Sequence, residues 1–157
     1  MISGEYTLPK AQIFVGIEVM NHWLGIVGSK LTYERFIRGV EYWFCMPKTC
    51  EIGDQIAMYS ARTAAGVKSG IFGYFEVVDK DEQKIAQCNQ YGYLSGTGER
   101  LVYVDIKMIK LLSPAVSFNK IKSVGLLKES VFVRRNMQAT YFSLLREEFQ
   151  AMWQLGD

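Results

Sequence analysis

Tyr59, Ser60, Phe72 and Tyr74 flank a loop, residues 61–69, that carries Arg62 and Lys68. Flat aromatic faces beside fixed cations suit a planar ring tethered to an anion, as in a nucleotide. Most strand aromatics are packing residues. Those beside turns and small residues are the ones to consider for stacking on a base.

Other chemistries find less support. A nucleophile needs a base, and the sole histidine, His22, lies beside Trp23 and well before any candidate Ser or Cys. There is no phosphate-cradling Gly-rich loop opening a helix, because Gly70-Ile-Phe-Gly73 lies inside a strand pattern. Cys45, Cys50, Cys88 and His22 match no zinc spacing. With an odd cysteine count and no secretory signal, reduced thiols buried as small apolar side chains are expected. No metal and no cofactor are expected.

The elements that must position these residues read as short strands. Ile13, Val15, Ile17 and Val19 alternate, as do Ile71, Gly73, Phe75 and Val77, and again Val102, Val104, Ile106 and Met108. Gly53-Asp54 is a turn pair feeding a strand over 55–59. Tyr42, Trp43 and Phe44 predict a strand over 40–46, stopped by Pro47. Residues 32–37 fit a short helix or an irregular strand. The longest strand, 101–111, ends at Ser113-Pro114, and Ser117 caps a short helix over 118–123. Val131–Val133 reads as a short strand. The last helix starts at a Ser143 cap and carries an apolar stripe of Leu145, Phe149, Met152 and Trp153. Helices do not alternate with strands, so the expected class is α+β and β-rich, one small curved β-barrel flanked by short helices. Residues 1–157 are expected to form a single domain.

Half the residues are hydrophobic, enough for a real core, and no apolar run is long enough to span a bilayer. The N-terminus lacks a signal-peptide pattern, so a cytoplasmic protein without a membrane partner is expected. Net charge is only +2, but residues 107–135 hold seven Lys or Arg against the single acid Glu129. Such a local basic stretch suits phosphate contact, with Lys120, Lys122, Arg134 and Arg135 tracking a nucleic-acid backbone. An ordinary solvated face with snorkelling lysines has the same signature.

The Gly53-Asp54 turn, the strand ending in Tyr59-Ser60, and Gly70-x-x-Gly73-x-x-Glu76-Val77 resemble the centre of the EVE domain, a PUA-like relative of YTH and ASCH domains. The resemblance extends through Leu111-Leu-Ser-Pro-Ala-Val-Ser-Phe-Asn-Lys-Ile-Lys122, Phe132-Val-Arg-Arg135 and residues 143–152. It implies a PUA-like barrel that binds DNA or RNA through a modified or flipped-out base held in an aromatic pocket. It places Trp43, Tyr59, Ser60, Arg62, Arg134 and Arg135 around that pocket. Residues 13–20 depart from the family's aromatic-rich first strand.

Gly28-Ser-Lys30-Leu-Thr-Tyr-Glu34-Arg35 holds the residue types of the ASCH signature at a slipped spacing. That resemblance implies an amidohydrolase acting on acylated cytidine, with Lys30, Thr32 and Glu76 as its catalytic set. A protein-interaction domain with a decayed pocket is the third reading. Binding rather than catalysis is the expectation carried forward.

Overall fold

The computed structural model describes residues 20–38, 42–61, 68–84 and 101–156. The expected strand at 13–19, Arg62, Cys88 and the tyrosines at 91 and 93 lie outside them. Among these residues six strands form one sheet: β1 (His22–Val27), β2 (Tyr42–Pro47), β3 (Gln55–Ser60), β4 (Gly70–Asp81), β5 (Leu101–Val116) and β6 (Tyr141–Leu144). Their order is β2-β5-β4-β3-β1-β6. Only β1 and β3 run parallel among these pairs. Among the described residues, five short helices accompany them: α1 (Lys30–Ile37), α2 (Phe118–Lys122), α3 (Gly125–Lys128), α4 (Val131–Arg134) and α5 (Arg146–Leu155). A 3-10 turn, Glu82–Lys84, follows β4.

The sheet is curled into a half-barrel. β1 and β2 are four places apart in the sheet order. Yet a Cβ placed on Gly25 of β1 would stand 3.1 Å from Phe44 Cε2 of β2. Only a sheet wrapped on itself brings them together. Inside the curl sit Trp23, Val27, Phe44, Ile56, Met58, Phe72, Phe75 and Ile106. α1 seals this interior with Phe36, which meets the rings of Phe44 and Phe75. The helix forms because Ser29 Oγ accepts the Thr32 amide and Tyr33, Phe36 and Ile37 share one face. That settles the open choice over residues 32–37.

A second core lies on the convex face. Leu24, Tyr59, Tyr74, Ile121, Leu127, Phe132, Phe142, Phe149 and Met152 pack there under α2 to α5. With both faces covered, every residue of β1 and β3 is buried.

Four local expectations are corrected. Ile71, Gly73, Phe75 and Val77 do not share a face: Ile71 joins the convex core, whereas Phe75 and Val77 join the interior. Bulges between Ile71 and Gly73 and between Tyr74 and Phe75 break the alternation. Val131–Val133 is helical, because Phe132 and Val133 are buried by neighbouring helices and context overrides β-propensity. Ser143 does not cap α5; it pairs with Trp23 in β6, and Leu145 stands at the cap with Glu148 Oε1 accepting its amide at 2.8 Å. Leu145 is therefore 61% exposed while Phe149 and Met152 are buried. Finally, β5 runs on to Val116, with a cis peptide at Ser113-Pro114. Pro114 falls where the register with β4 shifts, so no ladder bond is asked of it. The Ser117 cap of α2 is observed, its Oγ accepting the Lys120 amide at 3.2 Å.

Candidate nucleic-acid interface

Tyr59 lies at the end of β3, pointing into the convex core, and is 5% exposed. Ser60 is fully buried, and its hydroxyl donates toward the carbonyls of Lys68 at 2.8 Å and Gly70 at 3.1 Å. It closes the hairpin. Gly70 adopts φ +154°, and a Cβ there would stand 2.6 Å from Val116 O, so this strand entry requires glycine. Phe72 faces the interior and Tyr74 the convex core.

Trp43 sits elsewhere. It points away from the barrel interior, stacked on Tyr103 at 4.5 Å and 4°. Trp43 is paired with Asp105, whereas Tyr59 is paired with Ile71, itself opposite Val116. Eleven residue steps along β5 separate those partners, about 36 Å of strand path at ~3.3 Å per residue. Trp43 and Tyr59 thus belong to different parts of the sheet.

The four cations lie on or beside two helices. Lys120 and Lys122 lie on α2, Arg134 ends α4 and Arg135 follows it, and all are exposed on the convex, helical side. The Lys122 ammonium lies 5.1 Å from the Phe118 ring centroid, and the Arg135 guanidinium 5.9 Å from that of Phe142. Asn136 and Met137 follow with φ of +53° and +58°, a left-handed pair in non-glycine residues. The turn persists because Asn136 N donates to Val133 O and Met137 N to Phe132 O. It fixes where Arg135 leaves the helix.

Lys30, Thr32 and Glu76 are not brought together along β1. Glu76 sits opposite Gln55, which in turn lies opposite His22 at the start of β1. Lys30 lies beyond Val27, at the other end of that strand. Five residue steps separate the two ends of β1, about 16 Å.

His22 has no chemical partner near it in sequence, but it has neighbours in space. It is 3% exposed, its ring 4.7 Å from that of Phe149. It begins a polar row running through Gln55 and Glu76 toward Lys107 across four strands. Burial pushes the imidazole below its usual value, and Arg146 adds to this. Gln55 and Asp54 oppose it without overcoming it. Gln55 is close enough to favour the imidazolium, yet no hydrogen bond of good geometry joins them.

Asp54 is a buried knot. Its Oδ1 accepts the Asn21 amide at 3.1 Å, and its Oδ2 accepts Trp23 Nε1–H at 3.0 Å and the Glu51 amide at 2.8 Å. Gly53, at φ +96°, donates to Val77 O at 2.8 Å. The Gly-Asp pair therefore ties the entry of β1 to the β2–β3 turn. Cys50 is buried and free, and burial pushes its thiol upward. Cys45 is disulfide-bonded, which corrects the expectation of reduced thiols throughout.

A curled six-stranded half-barrel flanked by short helices is the PUA-like architecture. This chain belongs to the EVE domain family, whose model matches residues 40–155. Solved structures of similar fold share little sequence. A Pseudomonas syringae protein has a TM-score of 0.65 at 14% identity, covering 87% of this chain and 99% of its own. Human THYN1, in complex with 5-methylcytosine-containing DNA, has a TM-score of 0.62 at 15% identity, covering 87% and 98%. An ASCH protein from Zymomonas mobilis has a TM-score of 0.55 at 12% identity, covering 87% and 96%. No match was found among curated proteins. No helix among the described residues is long and apolar enough to cross a membrane.

Proposed function

We propose that this chain is a nucleic-acid-binding module that recognises a modified or flipped-out base. Membership of the EVE family and a shared fold with a 5-methylcytosine-DNA complex of human THYN1 support it. The observation that carries it is the exposed cation set on α2 and α4, Lys120, Lys122, Arg134 and Arg135. These residues contact phosphates and carry affinity, while a ring and neighbouring polar groups read the base. Of the two rings considered, Trp43 keeps partial exposure, and Tyr59 would have to leave the core to stack.

Fluorescence anisotropy with modified and unmodified oligonucleotides, as DNA and as RNA, tests this. Arg134→Ala with Arg135→Ala should weaken all oligonucleotides alike. The slope of log affinity against log salt should flatten by about one unit for each phosphate no longer engaged. Trp43→Ala should lose ~1–3 kcal/mol and with it the preference for the modified base. Identical affinity of the wild type for modified and unmodified strands would sink the base-reading role. An unchanged salt slope would remove the arginines from the interface.

A further inference from the structure

We propose that Arg35, mounted on Tyr42, meets the phosphate of the nucleotide whose base is read at Trp43. This rests on the nucleic-acid reading above and names the cation that works with the base-reading ring. Tyr42 and Trp43 are half-buried neighbours at the start of β2, their ring centroids 5.5 Å apart at 36°. Trp43 in turn stacks on Tyr103. The three rings form a ledge, and β2 is an outermost strand of the sheet. Arg35 joins that ledge at Tyr42. Its Cζ lies 5.1 Å from the Tyr42 ring centroid, and its Nη1 donates to Tyr42 Oη at 3.1 Å.

A cation in the last turn of a helix is common, because the dipole favours it there. Arg35 has that place in α1, but it is also held. An exposed arginine ordinarily samples many rotamers, and ordering it on binding costs entropy. The ring and the phenol together fix this guanidinium before any ligand arrives. The side chain is nonetheless exposed. Tyr42 takes one of its N–H donors, and the others remain for a bidentate phosphate contact. Among the described residues no carboxylate forms an ion pair with it. Glu34, its neighbour on α1, is turned about 100° away round the helix.

Other cations are less well placed for that nucleotide. Lys120 and Lys122 lie beyond Val116, at the far end of β5 from Asp105, the ladder partner of Trp43. They serve phosphates further along a strand. Lys107 shares the face of Asp105, but its register partner on β4 is Glu76. A carboxylate opposite it offsets a phosphate contact there. Arg38 is exposed at the end of α1, but among the described residues it rests on no ring. Arg35 alone of these is tied by contact to the ring beside Trp43.

Fluorescence anisotropy of the whole chain with labelled single-stranded DNA and RNA oligonucleotides tests the assignment. Arg35→Gln, a change at an exposed side chain, should keep the melting temperature and flatten the salt slope by about 0.7. Arg35→Lys keeps the charge without the planar fork, so it should hold the slope and still weaken binding. Arg38→Gln should change the slope by less than Arg35→Gln. Arg35→Gln combined with Trp43→Ala should cost less than the two losses added, because one nucleotide spans both. In the wild type the Arg35 Nε–H resonance should shift when the oligonucleotide is added, a readout that needs no variant. If oligonucleotides bind while the Arg35→Gln slope and that resonance stay unchanged, Arg35 lies outside the interface and the nucleic-acid reading stands. If Arg35→Gln and Arg38→Gln flatten the slope equally and both add to Trp43→Ala, α1 supplies only a diffuse field and the assignment is overturned. If no oligonucleotide binds, both readings fall.

Discussion

Replacing Asp54 with alanine should remove a large share of the fold's stability. The carboxylate accepts three hydrogen bonds from two segments, the entry of β1 and the β2–β3 turn, at 3.1 Å from Asn21 N, 3.0 Å from Trp23 Nε1 and 2.8 Å from Glu51 N. The bond to the Trp23 indole is buried; the other two are partly buried. Alanine leaves that indole N–H inside the protein without an acceptor, at a cost of about 1–3 kcal/mol. Water replaces part of the other two, so each adds roughly 0.5–1 kcal/mol. The sum is about 2–5 kcal/mol, set against a typical total stability of ~5–15 kcal/mol. Asp54→Asn should cost less, because its amide oxygen can keep the two donors that now share Oδ2. Urea denaturation followed by tryptophan fluorescence measures all of this, provided the m-value is unchanged. Trp23→Phe supplies the partner for a double-mutant cycle, with an expected coupling of about 1–2 kcal/mol. A loss below about 1 kcal/mol in Asp54→Ala, with coupling near zero, would show that the knot does not hold the entry of β1.

Two further outcomes follow from the cores. The unfolded chain protonates His22 as pH falls through about 6.5, while burial holds the folded imidazole neutral to lower pH. The unfolded state then binds more protons, so stability should fall with acidification below pH ~6.5, by at most about 1.4 kcal/mol per unit from this group. Urea midpoints between pH 7.5 and 5 should therefore drop more steeply in the wild type than in His22→Gln, and parallel curves would refute the assignment. Gly25→Ala would place a Cβ 2.7 Å from Met58 Sδ and 3.1 Å from Phe44 Cε2, overpacking the barrel interior by about 1–3 kcal/mol. Met58→Val in the same chain should recover part of that loss, and a stabilised Gly25→Ala would mean the interior has slack.

The architecture was legible wherever it depended on neighbours along the chain. The Gly53-Asp54 turn marked the strand at 55–59, alternation marked that at 102–108 and the existence, though not the facing, of that at 71–77, and the Ser117 cap marked α2. What failed depended on neighbours in space. The bulges of β4 moved Ile71 to the face opposite Phe75, and no local pattern signals a bulge that its partner strand imposes. Ser143 has the chemistry of a cap, but β6 claims it as the strand partner of Trp23. The row from His22 through Gln55 to Glu76 joins residues from three strands and has no sequence signature.

The same division runs through the candidate interface. Lys120, Lys122, Arg134 and Arg135 needed only their residue type to be placed on the surface, because burying an unpaired charge costs too much to be common. Tyr59 and Ser60 carry groups that serve a core as well as a pocket, and here the core takes both: the ring packs against Ile71, and the hydroxyl closes the hairpin. Surface cations are thus the part of the proposed nucleic-acid recognition that composition reveals. Base readout depends on which aromatic face the tertiary structure leaves uncovered, and on that count Trp43, half-buried against Tyr103, is the ring to test before Tyr59.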